Sequence, residues 1–292
     1  RTVRRPEQAD AAVLMLADGS AIAVAIDGNG RRVACDPRRG AAEAVYECAA
    51  NLACTGAEAL GLTNCLNFGN PEKPHVAWQL TEAVEGLAEA CEALAIPVVG
   101  GNVSLYNEAP SGPIFPTPVV GLVGALPDAA RAGQLGFATA GDAIALIGPF
   151  APALGGSELA KLRGGPLATE LPPVDVAALR DAHALVRDAV RAGRVSSAHD
   201  IAEGGFAVAL AECCLAGGLG ARVALPDGLE LFGEAPGTGF IVSGPAQALE
   251  GMTIIGEVGG ESLDISGRLN LAVSELATAH ERGLPDALQA HC

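Results

Sequence analysis

The alternation of apolar and polar residues marks out the elements. Two short apolar runs, residues 11–16 and 21–26, flank Asp18-Gly19, a pattern that predicts a β-hairpin. Val45, Cys48, Ala49 and Leu52 recur at helical spacing and predict a helix over 41–54, stopped at Thr55-Gly56. A strand is expected over 59–63, followed by a polar, turn-rich loop over 64–74. The next helix should cover 75–95, with Leu80, Val84, Leu87, Cys91 and Leu94 on one face. Residues 96–99 read as a buried strand running into Gly100-Gly101, and 117–126 as another strand. The order β-β-α-β-α-β-β is an α+β pattern in which helices cover one face of a mixed sheet.

A boundary is expected within 127–141, dividing the chain into domains 1–130 and 131–292. The second part opens with a strand over 143–147 and a glycine-rich turn at 154–158 that leads into a short helix. Leu171-Pro172-Pro173 breaks the chain, and Asp175 is placed to cap a helix over 176–192. A short strand at 195–198, a helix at 206–216 and strands near 221–225, 239–242 and 252–258 complete a layered α/β domain. The expected architecture is therefore α+β / α/β, a two-domain unit.

Composition narrows the chemistry. Half of the 292 residues are apolar but only 3% are aromatic, so the core must be built from Ala, Val, Leu and Ile. The formal net charge is −16, and Lys73 and Lys161 are the only lysines. Such a chain does not hold nucleic acid backbone or an anionic membrane by bulk electrostatics. Any phosphate must be met by backbone N–H groups, helix N-termini or metal ions. The eight cysteines form no CxxC pair and fall mostly within apolar helical patterns, as buried reduced thiols of a cytosolic protein would. No apolar run approaches the ~18 residues of a membrane span, and no signal-peptide pattern occurs.

Four segments could carry chemistry. VVGGNVSLYNE (98–108) ends a strand in two glycines and then presents polar side chains. Glycines let a ligand approach backbone donors, Asn102 offers a neutral oxygen suited to Mg²⁺, and Ser104 can donate to a phosphate or carbonyl oxygen. A polar bulge and turn would read the same way. TNCLNFGNPEKP (63–74) is either a ligand loop aimed by the following helix N-terminus or a structural Asn-rich turn. HDIAEGG (199–205) offers His199 and Asp200, but neighbours on a strand point to opposite faces and make no dyad without a bend. Acid–base use, phosphate contact and plain capping all remain open there. LGGSE (154–158) places Gly155, Gly156 and Ser157 before a helix, as a phosphate cradle or a turn, without the Walker lysine spacing. Asp27-Gly28-Asn29-Gly30 is too short for an EF-hand loop and reads as a turn. No Ser-His-Asp signature, zinc-ligand spacing or GxGxxG after a strand is present.

In this order and spacing, TNCLNFGNPEKP, IPVVGGNVSLYNE, FPTPVVGLVG, GGSEL and SAHDIAEGGFAVALAE resemble the second-half motifs of phosphoribosylformylglycinamidine synthase, the small bacterial type or subunit II. That enzyme belongs to the aminoimidazole ribonucleotide synthetase-like superfamily. The resemblance runs from the DGNG turn to about Val258. It implies two tandem units, each an A domain followed by a B domain, with the A domains packed as a pseudo-dimer around a shared active site. It also implies an ATP- and Mg²⁺-dependent reaction. ATP phosphorylates the amide oxygen of formylglycinamide ribonucleotide, and ammonia from a glutaminase then displaces phosphate to form the amidine.

The resemblance implies Gly101 at the nucleotide, Asn102 on Mg²⁺ and Ser104 against the ribonucleotide. It implies an ATP contact at Asn64, where the family usually carries Asp; the amide keeps an acceptor and lacks the charge. Asn67, Gly155, Gly156, Ser157, His199 and Asp200 are secondary candidates. Residues 234–240 lack the family's Glu-Ser stretch with its following Arg, which makes this B domain a structural counterpart and not a substrate-phosphate site. The catalytic His and most Mg²⁺ carboxylates belong to the other A domain, so the chain alone is expected to lack synthase activity. The implied partners are an N-terminal half, a glutaminase subunit and a small accessory subunit, in the cytoplasm. In isolation an exposed A-domain face would favour a homodimer. Two alternatives are a stand-alone homodimeric ATP-dependent synthetase or kinase of this superfamily and a non-catalytic nucleotide-binding module.

Overall fold

The computed structural model describes residues 1–225 and 228–289. It is a mixed α+β structure built on two main sheets. In the first part, β1 (Thr2–Arg4), β2 (Ala12–Met15) and β3 (Ala21–Asp27) lead to a short helix α1 (Gly30–Cys35) and a long helix α2 (Pro37–Cys54). There follow β4 (Glu58–Asn67), α3 (Pro74–Leu94), β5 (Val98–Ser104), the small hairpin β6 (Glu108–Ala109) and β7 (Gly112–Pro113), and β8 (Thr117–Leu126). The sheet order is β1-β2-β3-β8-β4-β5. The β4–β5 pair is parallel, and the other pairs are antiparallel.

The second part begins at β9 (Ala143–Ile147). It continues through α4 (Glu158–Leu162), α5 (Val176–Arg191), β10 (Ser197–Asp200), α6 (Gly205–Gly217) and β11 (Ala221–Val223). It then runs through β12 (Phe240–Gly244), β13 (Thr253–Val258), β14 (Ser262–Ile265), β15 (Leu269–Ala272) and α7 (Val273–Gln289). Seven of these strands form a sheet in the order β10-β12-β9-β13-β11-β14-β15. Sequence patterning did not yield β14, β15 or α7. Asp175 caps α5 as expected, accepting from the N–H of Ala178 at 3.0 Å. No helix among the described residues is long and apolar enough to cross a membrane.

Helix α2 lies at the centre. It is capped by Asp36, with Pro37 at its start. Instead of one apolar stripe, nearly its whole surface is buried, including Glu43 and Glu47. It packs against the first sheet, against α3 and against α5 and β10 of the second part. Small residues permit this crowding. Gly86 of α3 rests on the backbone of Arg38, where a Cβ would come within 1.9 Å of the Arg38 carbonyl oxygen. The buried face of α3 is therefore Ala83, Gly86, Leu87, Ala90 and Cys91, while Val84, expected inward, is exposed.

Two expectations for the strands are corrected. The predicted loop 64–74 begins as strand, because β4 continues to Asn67 and pairs on both sides, with β5 and β8. The predicted buried strand at 96–99 becomes β5, an exposed edge in which Val99 is 72% accessible. An apolar run cannot by itself distinguish a strand covered on both faces from one whose cover is supplied elsewhere. Cys35, Cys48, Cys54, Cys91, Cys213 and Cys214 are buried and free, Cys65 is half-buried, and Cys292 lies outside the described residues.

His183 ties α5 to the loop before β12. Its Nε2 lies 2.7 Å from the Gly237 carbonyl oxygen, and its ring meets Phe240 edge-on at 5.4 Å. Burial pushes its pKa down to about 4 from 6.5, so the folded chain holds a neutral ring that donates to Gly237. Between those values the unfolded chain binds the extra proton, and the folded state loses stability as pH falls. In urea unfolding, the stability advantage of the native chain over His183→Leu should shrink by about 3 kcal/mol between pH 7 and pH 4. A difference independent of pH would contradict the neutral buried ring.

Candidate functional site

The β4–β5 edge gathers most of the residues singled out above. Register pairs Asn64 with Gly101, Cys65 with Asn102 and Asn67 with Ser104. The first pair is in contact: a Cβ at Gly101 would meet both the carbonyl and the side-chain oxygen of Asn64 at 2.6 Å. Gly101 is thus required by Asn64, whereas Gly100 is open, with only Thr63 Oγ1 at 4.0 Å. Alternation along the strands splits the motif between two faces. Asp27, Val120, Asn64 and Gly101 form one row across four strands, and the burial of Val120 shows that this row faces the helices. Asn102 and Ser104 therefore face the open side of the sheet.

The edge is locally braced. Asn67 Nδ2 donates to the carbonyls of Cys65 and Thr117, both at 3.1 Å, so this candidate serves the turn. Asn107 Nδ2 donates to the carbonyls of Phe68 and Ser104 at 3.0 and 2.9 Å and lies 3.2 Å from Ser104 Oγ. Asn107 thereby fixes the position of the Ser104 hydroxyl. Lys73 and Glu108 pair at 2.8 Å across the mouth of the turn.

On the helix side of the same row lies a cluster that the sequence reading missed. Carboxylate oxygens of Asp27, Glu47 and Glu203 fall within 4.8 Å of one another. Burial, and then the charge of Glu203, pushes the Asp27 carboxyl up to about 7. Burial and the charges of Asp27 and Glu203 hold Glu47 well above the usual carboxylate range. Asn29 steadies Glu203 through a 2.9 Å bond. Asp200 is also raised, by burial first and then by Asp10, and its buried Oδ2 has no hydrogen-bond partner. Oxygen donors at this density suit a hard divalent cation. The signal was available in the sequence as Glu47, which with Glu43 places a charge inside a largely apolar helical stretch.

His199 and Asp200 lie at the end of β10, both buried. Asp10 reaches over this strand end with both oxygens, one 2.8 Å from His199 Nδ1 and the other accepting the Asp200 N–H at 3.2 Å. The Asp200 carboxylate lies 3.8 Å from the ring, so the two side chains do not diverge as alternation predicts. Glu212 lies 3.1 Å from Nε2. With a carboxylate at each nitrogen, His199 is an imidazolium, and its pKa is raised well above 6.5 by Asp10 and Glu212 against the opposing effect of burial. A ring held at both ends is unsuited to shuttling protons.

The remaining candidates converge elsewhere. Arg32, only 1% exposed, bonds Glu43 through Nε at 2.6 Å and Nη2 at 2.9 Å and lies 3.4 Å from Glu234. Glu234 Oε1 accepts the N–H groups of Glu158 and Gly204, each at 2.8 Å. Ser157 caps α4 by accepting from Ala160, so its hydroxyl is occupied locally. Gly156 adopts φ +81° beside Arg32 and Cys35, while a Cβ on Gly155 would meet only Ala168, at 3.4 Å.

Two family models match the chain. The N-terminal domain of AIR synthase related proteins matches residues 8–126 and the C-terminal domain of the same family matches 139–267. The chain is similar to phosphoribosylformylglycinamidine synthase subunit PurL of Moorella thermoacetica, 46% identical over 94% of this chain and 40% of the relative. It is also similar to PurL of an Anaeromyxobacter species, 43% identical over 96% of this chain and 40% of that relative. The chain thus spans about 40% of the length of these relatives. Among solved structures, T. maritima PurL complexed with FGAR has a TM-score of 0.75 at 20% identity, over 91% of this chain and 47% of that one. AaThiL complexed with AMPPCP and TMP has a TM-score of 0.62 at 21% identity, over 89% of this chain and 88% of that one. At these identities the two structures establish likeness of fold.

Replacing Arg32 tests the buried network directly. Arg32→Met leaves Glu43 and Glu234 buried without their cation and should cost roughly 3–5 kcal/mol in chemical denaturation. A loss below about 1 kcal/mol would show that the guanidinium is dispensable.

Proposed function

Because the chain belongs to the AIR synthase related protein family, we propose that it is the C-terminal A–B half of a phosphoribosylformylglycinamidine synthase. On this reading it contributes one side of an ATP-, Mg²⁺- and ribonucleotide-binding site and is inactive alone. The observation that carries the reading is identity to PurL sustained along nearly the whole chain. The division into an A domain over 1–130 and a B domain over 131–292 belongs to the same proposal. So do its partners: an N-terminal half, a glutaminase subunit and a small accessory subunit, in the cytoplasm. Buried free thiols fit that compartment.

The edge strand supports a shared site. Asn102 and Ser104 face the open side of the first sheet beside apolar side chains that the chain leaves accessible, among them Val24, Ile26, Val99 and Val123. An apolar sheet face of this kind suits the matching face of a second A domain, either the other half of the synthase or, for the isolated chain, a second copy. Ser104, positioned by Asn107, would donate to the ribonucleotide. Asn102 supplies one neutral oxygen to a metal and needs further ligands from across the face. Open backbone at Gly100 and the Asn64–Gly101 contact would border the nucleotide.

The helix side also fits Mg²⁺, where Asp27, Glu47 and Glu203 would hold it with the unpaired Oδ2 of Asp200 nearby. A divalent ion there would supply positive charge against nucleotide phosphates in a chain of net charge −16. The stand-alone synthetase and the non-catalytic module remain the competing readings.

Mixing the chain with a separately prepared N-terminal half, the glutaminase, the accessory subunit, formylglycinamide ribonucleotide and ATP should give turnover that neither half shows alone. Ser104→Ala and Asn102→Ala should each lower kcat/KM of the mixture by about 10–100-fold, the value of a hydrogen bond to a charged group. Turnover by the unaided chain would favour the stand-alone enzyme, and unchanged kinetics in both variants would remove the edge strand from the site.

A further inference from the structure

Glycine-rich loops 154–158 and 199–205 each carry the sequence character of a phosphate cradle. In the structure their N–H groups converge on one point. Glu158 N–H from the first loop and Gly204 N–H from the second both reach the same oxygen, Glu234 Oε1, at 2.8 Å. The Arg32 guanidinium, itself buried, faces the other oxygen of that carboxylate at 3.4 Å. Two backbone donors and a guanidinium around one point are the donor set of an oxyanion site. The occupant is present, because the Glu234 side chain is 0% exposed and its carboxylate fills the position.

The chain holds that carboxylate in place from both sides. Glu234 pairs through its own backbone with Ala153, by bonds of 2.9 and 3.2 Å, immediately before the first loop. Gly205 has φ +72°, and a Cβ there would come within 2.3 Å of the Gly233 carbonyl oxygen, so the second loop is pressed against the residue preceding Glu234. The cavity bordering Arg32 and Glu234 has a volume of about 20 Å³. That admits one water and excludes a phosphate.

We infer that the two glycine-rich loops form a small-oxyanion site occupied by the chain's own Glu234, so that in the native protein they bind no free phosphate. The loops and Arg32 supply the donors, and residues 234–240 deliver the anion in cis. The first glycine of that segment contributes by letting it pack on α2. Gly237 has φ +70°, and a Cβ there would come within 2.4 Å of the backbone of Tyr46.

The test is chemical rescue. Glu234→Ala removes the atoms of an acetate ion, leaving the donors with a vacancy of that shape. In thermal melts at constant ionic strength, acetate should raise the midpoint of Glu234→Ala saturably, by about 4 °C relative to chloride. The native chain and Glu234→Gln, which keeps an oxygen in the site, should not respond. Inorganic phosphate in place of acetate reports whether the emptied site admits the larger anion. If Glu234→Ala does not fold in chloride, refolding in acetate should recover it. An acetate response no greater than that of the native chain, an equal response from Glu234→Gln, or no recovery on refolding in acetate would overturn the inference.

Discussion

A guanidinium that is 1% exposed must find its counter-charge inside the protein, and Arg32 finds it in Glu43 and Glu234. The three residues come from α1, from α2 and from the segment before β12, so one ionic contact joins the two sheets' surroundings. Stranding any one of these charges would be costly, because a buried ion without its partner has neither water nor a counter-ion. Glu234 extends the constraint by accepting from Glu158 and Gly204, which fixes two further loops. Five segments are therefore linked through one buried cation.

The same interior holds a second, opposite problem. Asp27, Glu47, Glu203 and Asp200 bring carboxylates together where burial already disfavours charge. Arg32 is committed to Glu43 and Glu234, and His199, held by Asp10 and Glu212, offsets Asp200 alone, so neither cation reaches Asp27, Glu47 and Glu203. Retained protons or a bound divalent ion can. An ion held by carboxylates would present positive charge at this point of an acidic protein.

The first sheet separates two environments by alternation alone. Asn64 and Gly101 face the helices in one row with Asp27, while Asn102 and Ser104 face the open side. A motif continuous in sequence thus presents side chains to two different environments.

Much of the secondary structure was legible in the sequence. The hairpin, β8, β9, the Asp175-capped helix and the glycine stop after α6 each rest on local patterning or capping. The family was legible too, because ordered motifs survive as strings. The interior chemistry was not. Asp27 in a DGNG turn, Glu47 in a helical stripe and Glu234 in a departing loop become a site only when strands and helices bring them together. The extension of β4 through Asn67 and the exposure of β5 depended likewise on which strands stood beside them. The sequence determined the local elements and their order through short-range sterics and periodicity. Tertiary structure alone decided which charges meet, because ionic contacts and burial depend on distances that no spacing along the chain encodes.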